Sequence, residues 1–339
     1  EAWREAVAGR RGSRAPVERN PVDAIGTGQP APPIAPVEPH AIEWSGRESA
    51  EKRVAIASKL EEAGVDAAIV SDPASIAWLL NIRGGDVART PLPLSFAILR
   101  RDATVELFIE PLKLTAATRR HLGNGVSLAP PDALASGLER LGRDGATVLT
   151  DKATASAWIV ERLAKSGAKP VARRDPCALP RAIKNPTELA GMRNAHIRDG
   201  AAVVRFLHWL SENAPGEGID ELSAADRLFR FRREDPLFRD LSFDTISGAG
   251  PNGAIVHYRS TPETNRPLAS GELYLVDSGG NARPLHARAQ GPYRDRDRAL
   301  PERHQRQPAR CACPHAALAG RARLRSRHRP RRRILSWRP

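Results

Sequence analysis

Long hydrophobic runs are missing from this chain of 339 residues, and cysteine, methionine and aromatic residues are scarce. No apolar run reaches the roughly 18 residues that a membrane-spanning helix needs, so we expect no membrane association. The three cysteines (Cys177, Cys311 and Cys313) are too few for a disulfide framework, which favours a reducing compartment. The composition therefore predicts a cytoplasmic protein.

Excess basic charge is confined to the end of the chain. The formal net charge is +14, and residues 282–339 contain 17 Arg, no Lys and only three acidic residues, Asp295, Asp297 and Glu302. This segment therefore carries the whole excess, while the first 281 residues hold equal numbers of basic and acidic side chains. We treat residues 281–339 as a separate basic tail and expect it to be disordered.

Alternating helix and strand patterns predict an α/β fold for the chain before the tail. Helices are expected at 50–63, 76–80, 134–141 and 153–166, and strands at 67–70, 94–99, 105–109 and 147–149. We expect Ser49 to cap the start of the first helix, and Gly64 lies just beyond the end of its apolar pattern. This alternation predicts a helix-flanked sheet over residues 45–173, preceded by a Pro-rich, polar segment at 1–44.

A helix start marks the beginning of the second half of the chain. Asn185, Pro186 and Glu188 suit the N-cap, N1 and N3 positions of a helix that we expect to run to Leu210. The histidines on this helix carry no chemical pattern, and we interpret them as ordinary surface or core residues. A second domain is therefore predicted over residues 178–280.

Two candidate functional residues lie near the end of that domain. The apolar run Leu273–Val276 predicts a buried strand that ends in Asp277 and is followed by a Ser-Gly-Gly turn. A second apolar run, Ala254–Tyr258, follows a Gly-rich turn and predicts a strand that carries His257. A carboxylate supplies hard oxygen ligands, and an imidazole handles protons, so the pair suits a hydrolase that uses a hard metal ion. The alternative is a core histidine and an Asp that caps a turn.

The stretch from Ser242 to Gly280 resembles the first half of the catalytic domain of aminopeptidase P (Xaa-Pro aminopeptidase). That family shares the pita-bread metallopeptidase fold with prolidase and creatinase. The resemblance makes Asp277 the first, bidentate ligand of a dinuclear metal centre and places His257 beside the metals, where it assists the substrate. Trp78–Gly84 resembles the preceding domain of the long, three-domain form.

The resemblance implies the organisation and activity of the whole chain. It makes residues 1–44 a remnant of a first domain with a Pro-rich linker and 45–173 a creatinase-N-like domain. Residues 178–280 become the first half of a pita-bread domain, followed by the tail at 281–339. The implied reaction is hydrolysis of the N-terminal bond in peptides with Pro at the second position, with two divalent ions, commonly Mn²⁺. Family members of the long form are commonly homodimers through the catalytic domain.

The basic tail has three interpretations. In the first, its arginines bind nucleic acid or another anionic surface electrostatically, in a non-catalytic protein. Its only aromatic residues are Tyr293 and Trp337, so we expect no platform for base stacking and no specific nucleic acid partner. Its cysteines and histidines between 304 and 315 do not have a standard zinc spacing. The third interpretation is translation in a shifted reading frame.

Recoding the tail by one base supports the shifted frame. Residues 281–289 can then read MRDRFTRVL, residues 290–296 KGLIAIA, and residues 323–334 DFDHGTGHGVGS. In order and spacing these strings resemble the next part of aminopeptidase P. The family motif DGTTDITRT, with the second ligand Asp, is found in neither frame after Gly280. The resemblance implies five metal ligands, of which only Asp277 is present in the protein as translated. We therefore expect this chain to hold no metal pair, to lack peptidase activity and to have lost the dimer surface.

Overall fold

The computed structural model describes residues 30–214 and 218–282, together with Val22, Ile25, Gly26 and Gly28. The described part of the chain divides into two compact units, with the boundary between Leu189 and Ala190. The tail was expected to be disordered from residue 281, but Asn281 and Ala282 form a strand, so that part of the prediction is wrong. The rest of the tail, residues 283–339, lies outside the described residues. None of the helices in the described part combines the length and the apolar character that crossing a bilayer requires.

The first unit is built around a mixed sheet. The strands of this unit are β1 (Glu38–Pro39), β2 (Ala67–Val70), β3 (Ile82–Arg83), β4 (Phe96–Arg100), β5 (Val105–Phe108), β6 (Val126–Ala129), β7 (Thr147–Thr150) and β8 (Lys169–Ala172). Six of them form one sheet in the order β6-β5-β4-β2-β7-β8, and β1 pairs with β3. Strand β4 runs antiparallel to both β2 and β5, whereas β2–β7, β7–β8 and β5–β6 are parallel pairs.

Helices connect these strands. They are α1 (Ile42–Ser45), α2 (Ser49–Glu62), α3 (Pro73–Leu80), α4 (Ala116–Leu122), α5 (Leu134–Arg143), α6 (Ala157–Ser166) and α7 (Ala178–Ala182). Short 3₁₀ helices lie at Pro111–Lys113 and Pro131–Ala133.

Both faces of the large sheet are covered by apolar side chains. Ala68 and Val70 of β2 belong to one core cluster, whereas Ala67 and Ile69 belong to another. Because successive side chains of a strand point to opposite faces, these two clusters lie on the two sides of the sheet. The predicted helix-flanked α/β domain is confirmed.

One local prediction in this unit is wrong. Ser49 is the first residue of α2 and Glu48 is its N-cap, so Ser49 does not cap the helix. Its hydroxyl instead donates to the Leu79 carbonyl oxygen at 3.0 Å. The partner is distant in sequence, and a capping pattern alone does not show it.

The second unit contains the long helix α8 (Pro186–Asn213), which begins at the end of the first unit, and α9 (Glu221–Arg233). The predicted capping box is confirmed, since Glu188 N donates to Asn185 Oδ1 and Asn185 N donates to Glu188 Oε2, both at 2.9 Å. Strands β9 (Phe238–Leu241), β10 (Ile246–Ala249), β11 (Tyr274–Asp277) and β12 (Gly280–Ala282) form two antiparallel pairs, β10–β11 and β9–β12.

Apolar side chains of α8 and α9 pack together and against strand β11. Phe206 of α8 and Leu228 of α9 are almost completely buried in one cluster, and Tyr274 and Val276 of β11 pack against it. The strand that carries Asp277 is thus attached to the helix pair by its alternate residues.

Candidate functional site

Strand β11 ends in Asp277, as predicted. Asp277 is the register partner of Ile246 at the start of β10, and its side chain is exposed. The other three residues of β11 are half-buried, so the prediction of a fully buried strand is wrong. The two-stranded sheet leaves the strand partly in contact with solvent, and the carboxylate at its end is accessible.

The backbone next to Asp277 is supported by a buried arginine. The Arg232 guanidinium donates to both carboxylate oxygens of Asp199, at 2.6 and 3.2 Å, and to the Ser278 hydroxyl. Ser278 also shares a hydrogen bond of 3.0 Å with Thr245. A paired guanidinium fork fixes direction as well as distance, so the residue that follows Asp277 has a defined position.

His257 does not lie on a strand, and that prediction is wrong. Residues Gly250–Ala254 form a 3₁₀ helix, and the chain then turns, with His257 at a left-handed φ of 57°. A Cβ on Gly248 would lie 2.9 Å from backbone atoms of Gly253, so the 3₁₀ helix lies directly against β10. This close approach of the two backbones folds the apolar run into a turn, although its composition suits a strand.

The imidazole of His257 is exposed on this turn, beside Val256, which is 82% exposed. The side chains of His257 and Asp277 make no hydrogen bond or ion pair to another residue of the described ranges 30–214 and 218–282. The structure therefore presents both predicted side chains to solvent from two segments that are attached to β10.

A buried carboxylate that the sequence did not indicate organises the turn. Glu221, the first residue of α9, is 0% exposed. Its carboxylate accepts hydrogen bonds from Ala249 N (2.7 Å), Asn252 Nδ2 (3.0 Å), the Tyr258 hydroxyl (2.7 Å) and Arg266 N (3.2 Å). The Asp220–Ser223 capping box locates the helix start, but a charged residue at such a start is ordinarily exposed, and no local signal predicts its burial.

Tyr274 links this carboxylate region to β11. Its hydroxyl shares a hydrogen bond of 2.8 Å with Ser247, whose hydroxyl is also 2.7 Å from the Glu221 carbonyl oxygen. Burial raises the pKa of Tyr274 to about 12; the hydrogen bond to Ser247 opposes this shift and the charge of Glu221 adds to it. Tyr274 is therefore a neutral phenol over the physiological range and acts in packing and hydrogen bonding.

A metal pair requires more ligands than this arrangement supplies. Among the residues that the structure describes, no group of three or more His, Cys, Asp or Glu side chains is placed to hold a metal ion. A single exposed carboxylate does not meet the demand of a hard divalent ion for several oxygen ligands. The described residues thus do not fit a dinuclear centre.

The fold defines a two-domain α/β protein with an exposed carboxylate at the end of a strand in its second domain. Residues 28–188 match the creatinase/prolidase N-terminal domain, and residues 190–288 match metallopeptidase family M24. The chain belongs to metallopeptidase family M24 and carries a creatinase/prolidase N-terminal domain, so the predicted fold class and family resemblance are confirmed.

Individual proteins that are similar in sequence or structure include two aminopeptidases and a dipeptidase. Aminopeptidase P2 of Arabidopsis thaliana is 35% identical over an alignment of 280 residues, which covers 74% of this chain and 39% of the relative. The X-prolyl aminopeptidase of Caenorhabditis elegans, described as a cytosolic enzyme with a di-nuclear active site, superposes with a TM-score of 0.73 at 29% identity, covering 78% of this chain and 44% of that one. The Xaa-Pro dipeptidase of Bacillus anthracis shares the fold, with a TM-score of 0.54 at 16% identity, covering 69% of this chain and 62% of that one. This chain thus spans about two fifths of the length of its Arabidopsis relative.

Proposed function

We propose that the intact product of this coding sequence is an Xaa-Pro aminopeptidase that acts on peptides with Pro at the second position. The observation that carries the proposal is the Asp277 carboxylate, exposed at the end of β11 in a segment that matches metallopeptidase family M24. In this role Asp277 is one ligand of a pair of Mn²⁺ ions, and His257 contacts the substrate beside them. The C. elegans relative, with its di-nuclear site, supports two metal ions.

We further propose that the chain as written is inactive. Asp277 is the one ligand position that can be matched to the family, and the described residues form no metal-binding group. The acidic residues after Gly280 are Asp295, Asp297 and Glu302 in an arginine-rich segment without apolar periodicity. Without its other ligands, Asp277 binds a divalent ion too weakly to keep a metal pair in place.

A peptidase assay on two matched proteins tests both statements. The chain as written and a version with the missing segment and reading frame restored are purified, supplied with Mn²⁺ or Co²⁺, and given a peptide with Pro at position two. We expect release of the first residue by the restored protein only, and loss of that activity in its Asp277→Ala variant. Activity of the chain as written would overturn the proposal of inactivity, and an inactive but folded restored protein would overturn the proposed reaction.

The DNA around the Gly280 codon decides the status of the tail. If an in-frame stretch that encodes DGTTDITRT lies between the Gly280 and Asn281 codons, the tail is an artefact of the reading frame. If the codons adjoin, the tail is part of a real product. Salt-dependent binding of that product to RNA or DNA, lost on cutting after Gly280, would then favour the non-catalytic alternative.

A further inference from the structure

Glu221 is a completely buried carboxylate whose hydrogen-bond donors, within the described ranges 30–214 and 218–282, are all neutral groups. Backbone N–H groups of Ala249 and Arg266, the Asn252 amide and the Tyr258 hydroxyl surround its two oxygens. Burying a charge without a cation is unfavourable unless its hydrogen bonds are complete. The position at the first residue of α9 contributes as well, because a helix N-terminus stabilises negative charge.

The bonded groups bracket the turn that presents His257. Asn252 lies in the 3₁₀ helix before the turn, and Tyr258 directly follows His257. Asn252 and Tyr258 also bond to each other at 2.8 Å, and Tyr258 reaches the Thr264 carbonyl oxygen at 3.1 Å. Tyr258 is 7% exposed, whereas Val256 is 82% exposed, so the tyrosine anchors the protruding turn.

His257 itself has a left-handed backbone conformation, with a φ of 57°. A positive φ is uncommon in residues other than glycine, although histidine adopts it more readily than most, and it persists where surrounding contacts impose it. The contacts on either side of His257 converge on Glu221. Removing their common acceptor should release the turn while leaving the helix pair and its apolar core in place.

We infer that Glu221 is a positioning residue, whose negative charge fixes the backbone that displays His257. The inference rests on the role proposed above for His257, but it concerns the conformation of the turn. Glutamine has one oxygen in place of two. In a Glu221→Gln variant, the amide NH₂ therefore faces some of the donors that now meet a carboxylate oxygen, and at least one buried N–H group loses its acceptor.

Hydrogen exchange measured by mass spectrometry on the full chain tests this inference. Glu221→Gln should accelerate exchange of the amides in residues 250–266 by about tenfold or more. The exchange of peptides from α8 should stay unchanged. The ring signal of His257 in histidine-labelled protein, assigned by its absence in His257→Asn, should shift or broaden. Glu234→Gln, an exposed carboxylate of the same unit, serves as the control and should change neither readout.

Three results would overturn the inference. The first is unchanged exchange and an unchanged His257 signal. The second is equal acceleration throughout α8, α9 and the turn, which would make Glu221 a general stability residue. If Glu221→Gln does not fold, Tyr258→Phe decides, because it keeps the Glu221 carboxylate and removes the hydroxyl that links the residue after His257 to Glu221, Asn252 and Thr264. An unchanged turn and ring signal in that variant is the third contrary result. Peptidase activity enters none of these readouts, so failure of the proposed reaction remains separate.

Discussion

The ion pair between Arg232 and Asp199 should respond very differently to loss of one partner or the other. The Arg232 side chain is 1% exposed, whereas that of Asp199 is 35% exposed. Asp199→Ala leaves a buried guanidinium without its counter-charge, a change that costs about 3–5 kcal/mol. Arg232→Met leaves a carboxylate that water already reaches, and we expect a loss of about 1–2 kcal/mol. The more exposed residue is therefore the more damaging one to remove.

Hydrogen exchange of peptides from α8 and α9 measures this difference within the second unit. Because about 1.4 kcal/mol corresponds to a factor of ten, Asp199→Ala should accelerate exchange by roughly two to four powers of ten and Arg232→Met by about one. The double variant should be more stable than Asp199→Ala alone, because no buried charge remains. Arg205 and Glu234 form an exposed pair with an N–O distance of 2.6 Å; Glu234→Ala is the control and should cost less than about 1 kcal/mol.

The reasoning fails if Arg232→Met is as damaging as Asp199→Ala. It also fails if the double variant loses the sum of the two single effects, since that outcome would mean that the charges do not act on each other.

Three further predictions concern the first unit. Burial lowers the pKa of Lys52 from 10.5 to about 8, so the unfolded state binds more protons between these values and stability rises as the pH increases through that window. In urea unfolding, Lys52→Met should remove this rise, which amounts to about 3 kcal/mol; an identical pH slope in both proteins would refute it. A Cβ at Gly137 would lie 2.6 Å from Cζ of Phe108, so Gly137→Ala should cost about 1–3 kcal/mol by overpacking. Phe108→Leu in the same background should recover part of that loss of thermal stability, and failure to do so would assign the loss to another cause. The Ser156 hydroxyl caps α6 by accepting a hydrogen bond from Ile159 N at 3.4 Å. Ser156→Ala should therefore lower the free energy of unfolding by about 0.5–2 kcal/mol, measured by thermal unfolding. Ser58 is exposed on α2, and an equal loss in Ser58→Ala would refute the capping role.

Local patterns predicted those parts of the fold whose partners are also local. The capping box of Asn185 and Glu188 lies within four residues, and both of its hydrogen bonds form. Strand β2 has the predicted bounds, and Gly64 has a left-handed φ of 67° just after α2. These features depend on neighbours in sequence and need no knowledge of the rest of the chain.

The predictions that failed depend on distant contacts. The run from Ala254 to Tyr258 is as apolar as a strand, yet the contact of Gly248 with Gly253 and the bond from Tyr258 to Glu221 hold it as a turn. Ser49 resembles a helix cap, but its hydroxyl finds a carbonyl oxygen thirty residues away. Neither partner can be identified from spacing alone, because each meets its residue only after the sheet or the helix pair has formed.

The support of the candidate site comes largely from one helix that contributes no predicted ligand. Helix α9 has 13 residues, with Glu221 first and Arg232 next to last. Its N-terminal carboxylate holds the turn that carries His257, and its C-terminal guanidinium bonds to Ser278 beside Asp277. Each charge lies at the end of the helix whose dipole favours it, and the helix is about 20 Å long. One rigid element thus holds both candidate segments, and its buried Leu228 attaches it to the core of the unit. These contacts involve protein groups alone, so α9 supports both candidate segments through its own side chains.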